Sequence, residues 1–196
     1  KIIISKLKKD KKLINRLNKN FSFINKNKKL ILITFHRREN FGKGLKNLIN
    51  FLKTSIKNRN DIQFVYPVHL NPNIYEPVVK SLSKLNNIHI IKPVDYLSFV
   101  YLMMKSYIIL TDSGGIQEEA PTLKKPLLVL RNTSERLLFS FSGTSIVVGT
   151  NEKKLTKITN KLLDDKKFYD SMIFSKNPYG DGKSAKKIIK ILNKLV

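Results

Sequence analysis

Two segments of the sequence carry side chains that could bind an anion or move a proton. The first contains His36, Arg37, Arg38 and Glu39 directly after a short apolar run. Arginine offers a planar pair of donors to phosphate or carboxylate, and histidine exchanges a proton near neutral pH. The segment therefore predicts a site for an anionic ligand, and a salt-bridged surface loop is the alternative.

The second segment runs from an apolar stretch into Ser113, Gly114 and Gly115, and then into a predicted helix. The amides at a helix start have no intrahelical acceptor, and glycine lets a phosphate approach the backbone closely. Ser113 is a typical N-cap, and Glu118 or Glu119 one turn later could accept hydrogen bonds from sugar hydroxyls. Because the spacing matches neither a Walker loop nor a G-x-G-x-x-G fingerprint, an ordinary capped helix is the alternative to a diphosphate site.

Further polar residues follow apolar runs elsewhere in the chain. His69 stands between two prolines that restrict the backbone, although a lone histidine of this kind is more typical of a structural role. Arg136 follows the run at 127–130 and could balance the charge of a diphosphate, or pair with Glu135 at the surface. His89 lies inside a strand-like run and is predicted to be structural.

Apolar runs of strand length alternate with segments of helical period along most of the chain. The predicted strands cover 30–34, 62–66, 88–91, 107–111, 127–130 and 146–148. Such continuous runs are typical of parallel strands buried on both faces. One of the intervening helices is predicted to begin at Pro77, and the chain after Gly149 is predicted to be helical. The pattern indicates an α/β fold with a doubly wound parallel sheet.

This fold class predicts where the polar segments meet. In doubly wound sheets, ligands bind at the carboxyl ends of the strands, where loops enter helices. Because the polar segments follow predicted strands, we expect them at one edge of the sheet. Residues 1–29 are rich in Lys and Asn with a weak helical pattern. We therefore predict a helical lead-in or linker at 1–29 and a ligand-binding domain at 30–196.

The composition excludes several classes of function. The 196 residues include no Cys, which excludes a disulfide scaffold, a thiol nucleophile and a Cys-ligated metal. No apolar run approaches the roughly 20 residues that span a bilayer, so we expect no membrane segment and a cytoplasmic protein. The net charge of +24 comes from 32 Lys and only 6 Arg. Lys, Asn and Ile share AT-rich codons and no aromatic motif accompanies the lysines, so compositional bias explains this charge better than nucleic-acid binding.

Four longer motifs occur in order along the chain. They are His36-Arg37-Arg38-Glu39-Asn40-Phe41-Gly42, Tyr66-Pro67-Val68-His69-Leu70-Asn71-Pro72-Asn73, Leu110 through Pro121, and Asn177 through Gly182. Through these motifs, nearly the whole chain resembles the C-terminal half of the non-hydrolysing UDP-N-acetylglucosamine 2-epimerases.

The resemblance implies a Rossmann-like C-terminal domain of the two-domain GT-B fold, with UDP bound by residues 30–196. It implies conversion of UDP-GlcNAc to UDP-ManNAc by elimination and re-addition of UDP, with no cofactor and no metal. The residues implied by position are Ser113, Gly114 and Gly115 for the diphosphate, Glu119 for the ribose hydroxyls, Phe99 for uracil, Arg136 for the phosphates, and His36 for the pyrophosphate and the reaction centre. Arg37 and His69 match positions that contact a second, activating UDP-GlcNAc molecule in some bacterial members.

The chain departs from the family pattern in three respects. Phe35 replaces the glycine before His36, and we expect its bulk to crowd the loop. Residues 137–142 replace the Pro-Glu-Ala continuation that follows the position of Arg136. The family's N-terminal domain, which carries the carboxylates for acid–base work, is not part of these 196 residues. We therefore expect no epimerase activity from this chain alone, without that domain or a partner chain, and family members are usually dimers.

Three alternatives to this function stay open. A GT-B glycosyltransferase shares the nucleotide-binding architecture, and glycosyl transfer to an acceptor would distinguish it. A basic nucleic-acid-binding domain would bind RNA or DNA with an affinity that falls steeply with salt. An inactive remnant would expose an apolar domain-interface face and would aggregate.

Overall fold

Within the described residues, six parallel strands form one sheet in the order β3-β2-β1-β4-β5-β6. The structure is a computed structural model that describes residues 2–132, 143–173, 177, 179–180 and 182–194. The strands are β1 (Lys29–Thr34), β2 (Ile62–Pro67), β3 (Ile88–Ile91), β4 (Ile108–Thr111), β5 (Leu127–Val129) and β6 (Ser145–Val147). The strand order reverses between β1 and β4, as in a Rossmann fold. All six predicted strands are confirmed, with small shifts at their ends.

Helices cover both faces of this sheet. They are α1 (Ile2–Lys9), α2 (Lys11–Asn20), α3 (Lys43–Asn58), α4 (Pro72–Leu82), α5 (Tyr96–Lys105), α6 (Gly114–Glu119), α7 (Glu152–Asp164), α8 (Lys166–Ile173) and α9 (Ser184–Leu192). Two short 3-10 turns, Arg38–Asn40 and Ala120–Leu123, follow β1 and α6. Among the described helices, none combines the length and apolar character needed to cross a bilayer.

Alternate side chains of β1 enter two separate cores. Ile31 and Ile33 pack on one face of the sheet with α3, α4, α7 and α8, in what we call the first core. Leu30 and Leu32 pack on the other face with α1, α2 and α5, in the second core. Successive side chains of a strand point to opposite faces, so a strand with a core on each side is apolar throughout. This two-sided burial confirms the doubly wound fold.

The helical prediction for the N-terminal segment is confirmed by α1 and α2. Leu7, Leu13 and Leu17 are buried in the second core, so both helices pack onto the sheet. Asp10 caps α2, because its Oδ1 accepts a hydrogen bond of 2.9 Å from Leu13 N. The proposed division of the chain at residue 30 stays a prediction.

The prediction that a helix begins at Pro77 is wrong. α4 begins at Pro72, and Asn71 caps it by accepting a hydrogen bond of 3.0 Å from Asn73 N. Pro77 therefore lies inside the helix and cannot donate to the Asn73 carbonyl oxygen. Because Asn73 is exposed, water can replace that bond. For this reason the helix continues past Pro77, although proline is more usual in the first turn of a helix.

The last described helix, α9, has no buried residue. Its apolar side chains Ile188, Ile189, Ile191 and Leu192 are each more than half exposed. α9 therefore contributes an apolar surface rather than a part of either core.

Candidate functional site

β1 and β4 lie side by side where the strand order reverses. Thr34 ends β1 and Thr111 ends β4; they are partners in the ladder, and their hydroxyl groups are hydrogen-bonded to each other. The pairing extends one residue further, because Asp112 N donates to the Thr34 carbonyl oxygen at 3.2 Å. In doubly wound sheets, the crevice beside such a position binds ligands. The structure thus confirms that the segments after these two strands meet.

The loop after β1 is held by the carboxylate of Asp112, which is fully buried. Oδ2 accepts hydrogen bonds from His36 N at 3.0 Å and from Arg37 N at 2.9 Å. Asn40 Nδ2 donates to the same oxygen at 3.1 Å and to the Leu130 carbonyl oxygen at 3.1 Å. A buried carboxylate must be compensated by donors, so these bonds fix the loop backbone. The sequence analysis gave Asp112 no role, although an acid at the end of a buried strand was a signal for one.

The imidazole of His36 lies at the edge of the site. Its Nδ1 is 3.3 Å from Oδ1 of Asp112, and 42% of the side chain stays exposed. The ring also stacks against that of His69, with centroids 6.2 Å apart and planes 23° from parallel. His69 follows β2, the neighbour of β1. Two imidazoles from adjacent strand ends therefore face each other.

A cleft of about 340 Å³ opens beside these rings. Six of the predicted site residues line it: His36, His69, Phe99, Ser113, Gly115 and Glu119. Phe35 after β1, Pro93 and Val94 from the loop before α5, and Tyr96 from its first turn are among the other residues of the wall. The volume is in the range of small-molecule sites.

The start of α6 lies at the cleft, where Ser113 and Gly115 are among the lining residues. Ser113 occupies the N-cap position, as predicted, and within the described residues its side chain makes no capping hydrogen bond. Ser113 N donates instead to Thr111 Oγ1 at 3.0 Å. A side-chain Cβ added at Gly115 would meet no atom within 4 Å. The helix start is therefore open to a ligand that can accept hydrogen bonds.

Tyr96 is a cleft residue that the sequence analysis missed. Burial raises the pKa of its phenol, and the charge of Glu119 and a hydrogen bond with it raise the pKa further. Tyr96 lies one turn before Phe99 on α5, so both line the same wall. This spacing at a helix start was the signal that could have identified it.

Arg37 and Arg131 anchor the loop after β1 from two sides. Arg37 Nε donates to the Asp112 carbonyl oxygen at 3.0 Å, and Arg37 is not among the residues that line the cleft. Arg131, after β5, is largely buried and pairs with Glu39 through an Nε–Oε1 distance of 3.0 Å. Through these contacts, Arg37 and Glu39 of the loop are bonded to other groups of the protein.

Sequence comparison shows the family of the chain. A family model described as UDP-N-acetylglucosamine 2-epimerase matches residues 1–193. The UDP-N-acetylglucosamine 2-epimerase of Campylobacter jejuni is 48% identical over 193 residues, which cover 96% of this chain and 50% of that protein. The chain belongs to the UDP-N-acetylglucosamine 2-epimerase family. The family member from Escherichia coli K12 is 46% identical over 181 residues, covering 92% of this chain and 48% of its own length. The chain thus spans about half the length of these curated relatives.

Solved structures agree with the family and the fold. The UDP-GlcNAc 2-epimerase from Neisseria meningitidis, bound to UDP-GlcNAc, superposes with a TM-score of 0.93 at 44% identity and covers 98% of this chain and 52% of that chain. The S. aureus MnaA structure with UDP gives 0.83 at 40% identity, over 92% of this chain and 49% of that chain. The C-terminal domain of a group 1 glycosyl transferase from Francisella tularensis gives 0.61 at 15% identity, which shows the fold alone. The prediction of a Rossmann-like C-terminal domain of a GT-B fold is confirmed.

Phe35 belongs both to the core and to the wall of the cleft in this epimerase family member. Its side chain is 1% exposed and packs in the first core, away from solvent. Its carbonyl oxygen accepts a hydrogen bond of 3.1 Å from the hydroxyl of Tyr66 in β2. Phe35 is also among the residues that line the cleft, so the expectation of crowding stays a prediction.

The remaining predicted residues lie elsewhere. Gly114 begins α6 but is not among the residues that line the cleft. Arg136 and residues 137–142 lie outside the described residues. In the fourth motif of the epimerase resemblance, Asn177 Nδ2 donates to Thr122 Oγ1 at 3.1 Å, just after α6. Within the described ranges, no three His, Asp or Glu side chains lie together as metal ligands.

Proposed function

We propose that the chain is the UDP-binding half of a UDP-GlcNAc 2-epimerase, which converts UDP-GlcNAc to UDP-ManNAc by elimination and re-addition of UDP. The observation that carries this proposal is the position of six residues with implied ligand roles around one cleft: His36, His69, Phe99, Ser113, Gly115 and Glu119. The cleft lies beside the reversal of strand order, where ligands of doubly wound sheets bind.

The proposed chemistry uses groups that stabilise a departing diphosphate. Elimination of UDP leaves negative charge on the phosphate oxygens, and preorganised donors lower the barrier to that step. The main-chain amides at the start of α6 and the imidazole of His36 are donors of this kind. Glu119 accepts hydrogen bonds from the ribose, and Phe99 packs against uracil. Loss of one such donor typically costs about 3 kcal/mol of transition-state stabilisation.

Relatives with bound ligands support the nucleotide assignment. The N. meningitidis structure that superposes over 98% of this chain is bound to UDP-GlcNAc. The S. aureus structure that covers 92% of the chain is a complex with UDP. The glycosyl transferase alternative rests on fold likeness at 15% identity, so the epimerase is the better supported reaction.

Several parts of the proposal concern groups beyond this chain. The acid–base carboxylates come from an N-terminal half, supplied by the same protein or by a partner chain, and the family suggests a dimer. Arg37 and His69 contact a second UDP-GlcNAc molecule; among the described contacts, Arg37 Nε is engaged by the Asp112 carbonyl oxygen, so that role requires it to change partner. A cytoplasmic location and the absence of a nucleic-acid partner stay predictions.

Isothermal titration of the purified chain with UDP tests the nucleotide site. We expect saturable binding by the native chain and at least a tenfold weaker affinity for Gly115→Ala. The added methyl group occupies open space in the free protein, so it cannot disturb the fold. Alanine is also the better helix former, by about 1 kcal/mol. A methyl group there blocks only a ligand that approaches the backbone.

Two results would contradict the proposed site. One is no heat of binding with UDP at millimolar concentration from a chain that unfolds cooperatively. The other is an unchanged affinity in Gly115→Ala, which would place the nucleotide away from the start of α6.

A further inference from the structure

The two imidazoles that face each other at the cleft use the same ring nitrogen in opposite ways. Nδ1 of His36 lies 3.3 Å from Oδ1 of the buried Asp112 carboxylate. Nδ1 of His69 instead accepts a hydrogen bond of 3.1 Å from Asn71 N. In a neutral imidazole, one nitrogen carries a proton and the other accepts. The short distance to the carboxylate favours Nδ1–H in neutral His36, and the hydrogen bond from Asn71 N requires Nε2–H in neutral His69.

His36 favours a proton on Nδ1 because the Asp112 carboxylate can only accept hydrogen bonds. An ionised carboxylate has no donor, so an unprotonated Nδ1 would bring two lone pairs within 3.3 Å. The carboxylate is fully buried while the imidazole is 42% exposed, so water screens that repulsion less than at the open surface. The other donors to the carboxylate are the amides of His36, Arg37 and Asn40. Among the described residues, no Lys or Arg side chain pairs with it, because Arg37 Nε donates to the main-chain oxygen of Asp112.

We propose that Asp112 is a positioning residue that holds neutral His36 as the Nδ1–H tautomer, so that the cleft contains an acceptor, Nε2 of His36, opposite a donor, Nε2–H of His69. The ring centroids of this pair are 6.2 Å apart. The role of the His36–His69 pair in turnover rests on the proposed function. The tautomers themselves depend on neither UDP binding nor catalysis.

The tautomer decides which atom of His36 serves the ligand. When neutral His36 takes up a proton from solvent, the proton goes to Nε2, because Nδ1 already carries one. The resulting imidazolium keeps its Nδ1–H on Asp112 and gains an Nε2–H that can donate to a phosphate oxygen. No bond of Asp112 changes in this exchange. A carboxylate that only orients an imidazole in this way acts through His36 and does not touch the ligand.

Nitrogen-15 NMR of the histidine side chains tests the proposal in the native chain. At alkaline pH the rings are neutral, and protonated and unprotonated ring nitrogens resonate far apart. The chain has three histidines, so His36→Gln and His69→Gln assign every signal. We expect His36 with Nδ1 protonated and His69 with Nε2 protonated. A His36 ring with Nε2–H, the tautomer that free histidine favours, would overturn the proposal.

A variant separates positioning from general structural support. Asp112→Asn keeps the size of the side chain but can no longer act as a charged acceptor. We expect His36 to lose its preference for Nδ1–H and His69 to keep its own tautomer. Asp10→Asn, the same change at the remote cap of α2, should leave both rings unaltered.

Each remaining outcome is also decisive. A folded Asp112→Asn variant with His36 still in the Nδ1–H form would overturn the proposal. If that variant does not fold, the spectrum of the native chain decides alone. Titration of the same native sample with UDP keeps the two hypotheses apart, because failure to bind UDP contradicts the proposed function and leaves the tautomers as measured.

Discussion

The hydroxyl of Tyr66 and the carboxylate of Asp112 hold the two sides of a single peptide group. Tyr66 donates to the carbonyl oxygen of Phe35 at 3.1 Å, and Asp112 Oδ2 accepts from the next amide, His36 N, at 3.0 Å. Both side chains are fully buried. Burial raises the pKa of the Tyr66 phenol, and the nearby charge of Asp112 adds to the increase. The peptide before His36 is thereby fixed by two neighbouring strands.

Replacing Tyr66 with Phe should weaken both the fold and the cleft. The variant leaves the Phe35 carbonyl oxygen without its buried donor, which costs about 1–3 kcal/mol of the free energy of unfolding. Tyr169→Phe is a matched control, because its hydroxyl donates to the Tyr107 carbonyl oxygen at 3.2 Å, away from the cleft. Urea denaturation should show a loss in both variants. UDP titration should show weaker binding only in Tyr66→Phe, and equal affinities would contradict a role of this bond at the site.

Phe35→Ala should destabilise the protein. Phe35 fills the first core with 1% of its surface exposed, so truncation leaves a cavity that costs about 3–5 kcal/mol. Phe23→Ala is the control, because Phe23 is 37% exposed and its loss should cost less. Thermal and urea unfolding measure the difference. A Phe35→Ala variant of native stability would contradict this prediction, and tighter UDP binding in it would support a crowded loop.

Glu119→Gln should lower the affinity for UDP more than the affinity for 2′-deoxy-UDP. The charged acceptor gains a hydrogen bond from the ribose 2′-hydroxyl, worth about 1.5–3 kcal/mol, or tenfold or more in Kd. Glu118→Gln, one residue earlier on α6, is the control because Glu118 does not line the cleft. Calorimetry of the native chain and of both variants with each nucleotide gives six affinities. The same loss for both nucleotides would assign Glu119 to a different contact.

Stability should depend on pH through the ion pairs of Arg59. Arg59 Nε lies 2.9 Å from Asp61 Oδ1 and Nη1 lies 2.8 Å from Asp164 Oδ2. Hydrogen bonding to the guanidinium lowers the pKa of both carboxyls. Their contribution is therefore complete above about pH 4, the value of a free Asp, and is lost as the pH falls through the lowered folded-state pKa values.

The measurement for this network is the unfolding free energy of Arg59→Gln between neutral and acidic pH. At neutral pH we expect a loss of about 1 kcal/mol, since both acids are partly exposed. The loss should shrink towards zero below the folded-state pKa values. Arg16→Gln serves as a control, because Arg16 makes no ion pair among the described residues. A loss that stays constant with pH would show that Arg59 acts through packing alone.

The sequence predicted the strands well because each one is buried on both faces. A continuous apolar run such as Leu30–Ile33 is typical of a strand that is buried on both faces. The order of the strands could not be predicted, because β1 pairs with β2 and with β4, and periodicity does not specify partners. Pro77 misled the prediction of α4, since the exposure of the residue four positions earlier decides whether a helix tolerates it.

The site was predictable in its residue types and not in its supporting contacts. His36, Ser113 and Glu119 were identified as candidates because they follow predicted strands, and the resemblance supplied their roles. Asp112 was missed because its role depends on His36, which lies 76 positions away in the chain. Ser113 was predicted at the N-cap of α6 and lies there, and only the geometry shows that within the described residues its hydroxyl makes no capping hydrogen bond.

The exposed apolar side chains of α9 should lower the solubility of the protein in concentrated solution. Ile188, Ile189, Ile191 and Leu192 are more than half in contact with water, and covering such surface releases about 25 cal/mol for each Å². Salts that are excluded from protein surfaces, such as sulfate, strengthen that tendency. Precipitation on salting out should therefore begin at this aliphatic ridge, and exchanging its isoleucines for lysines should raise the solubility limit while leaving the nucleotide cleft untouched.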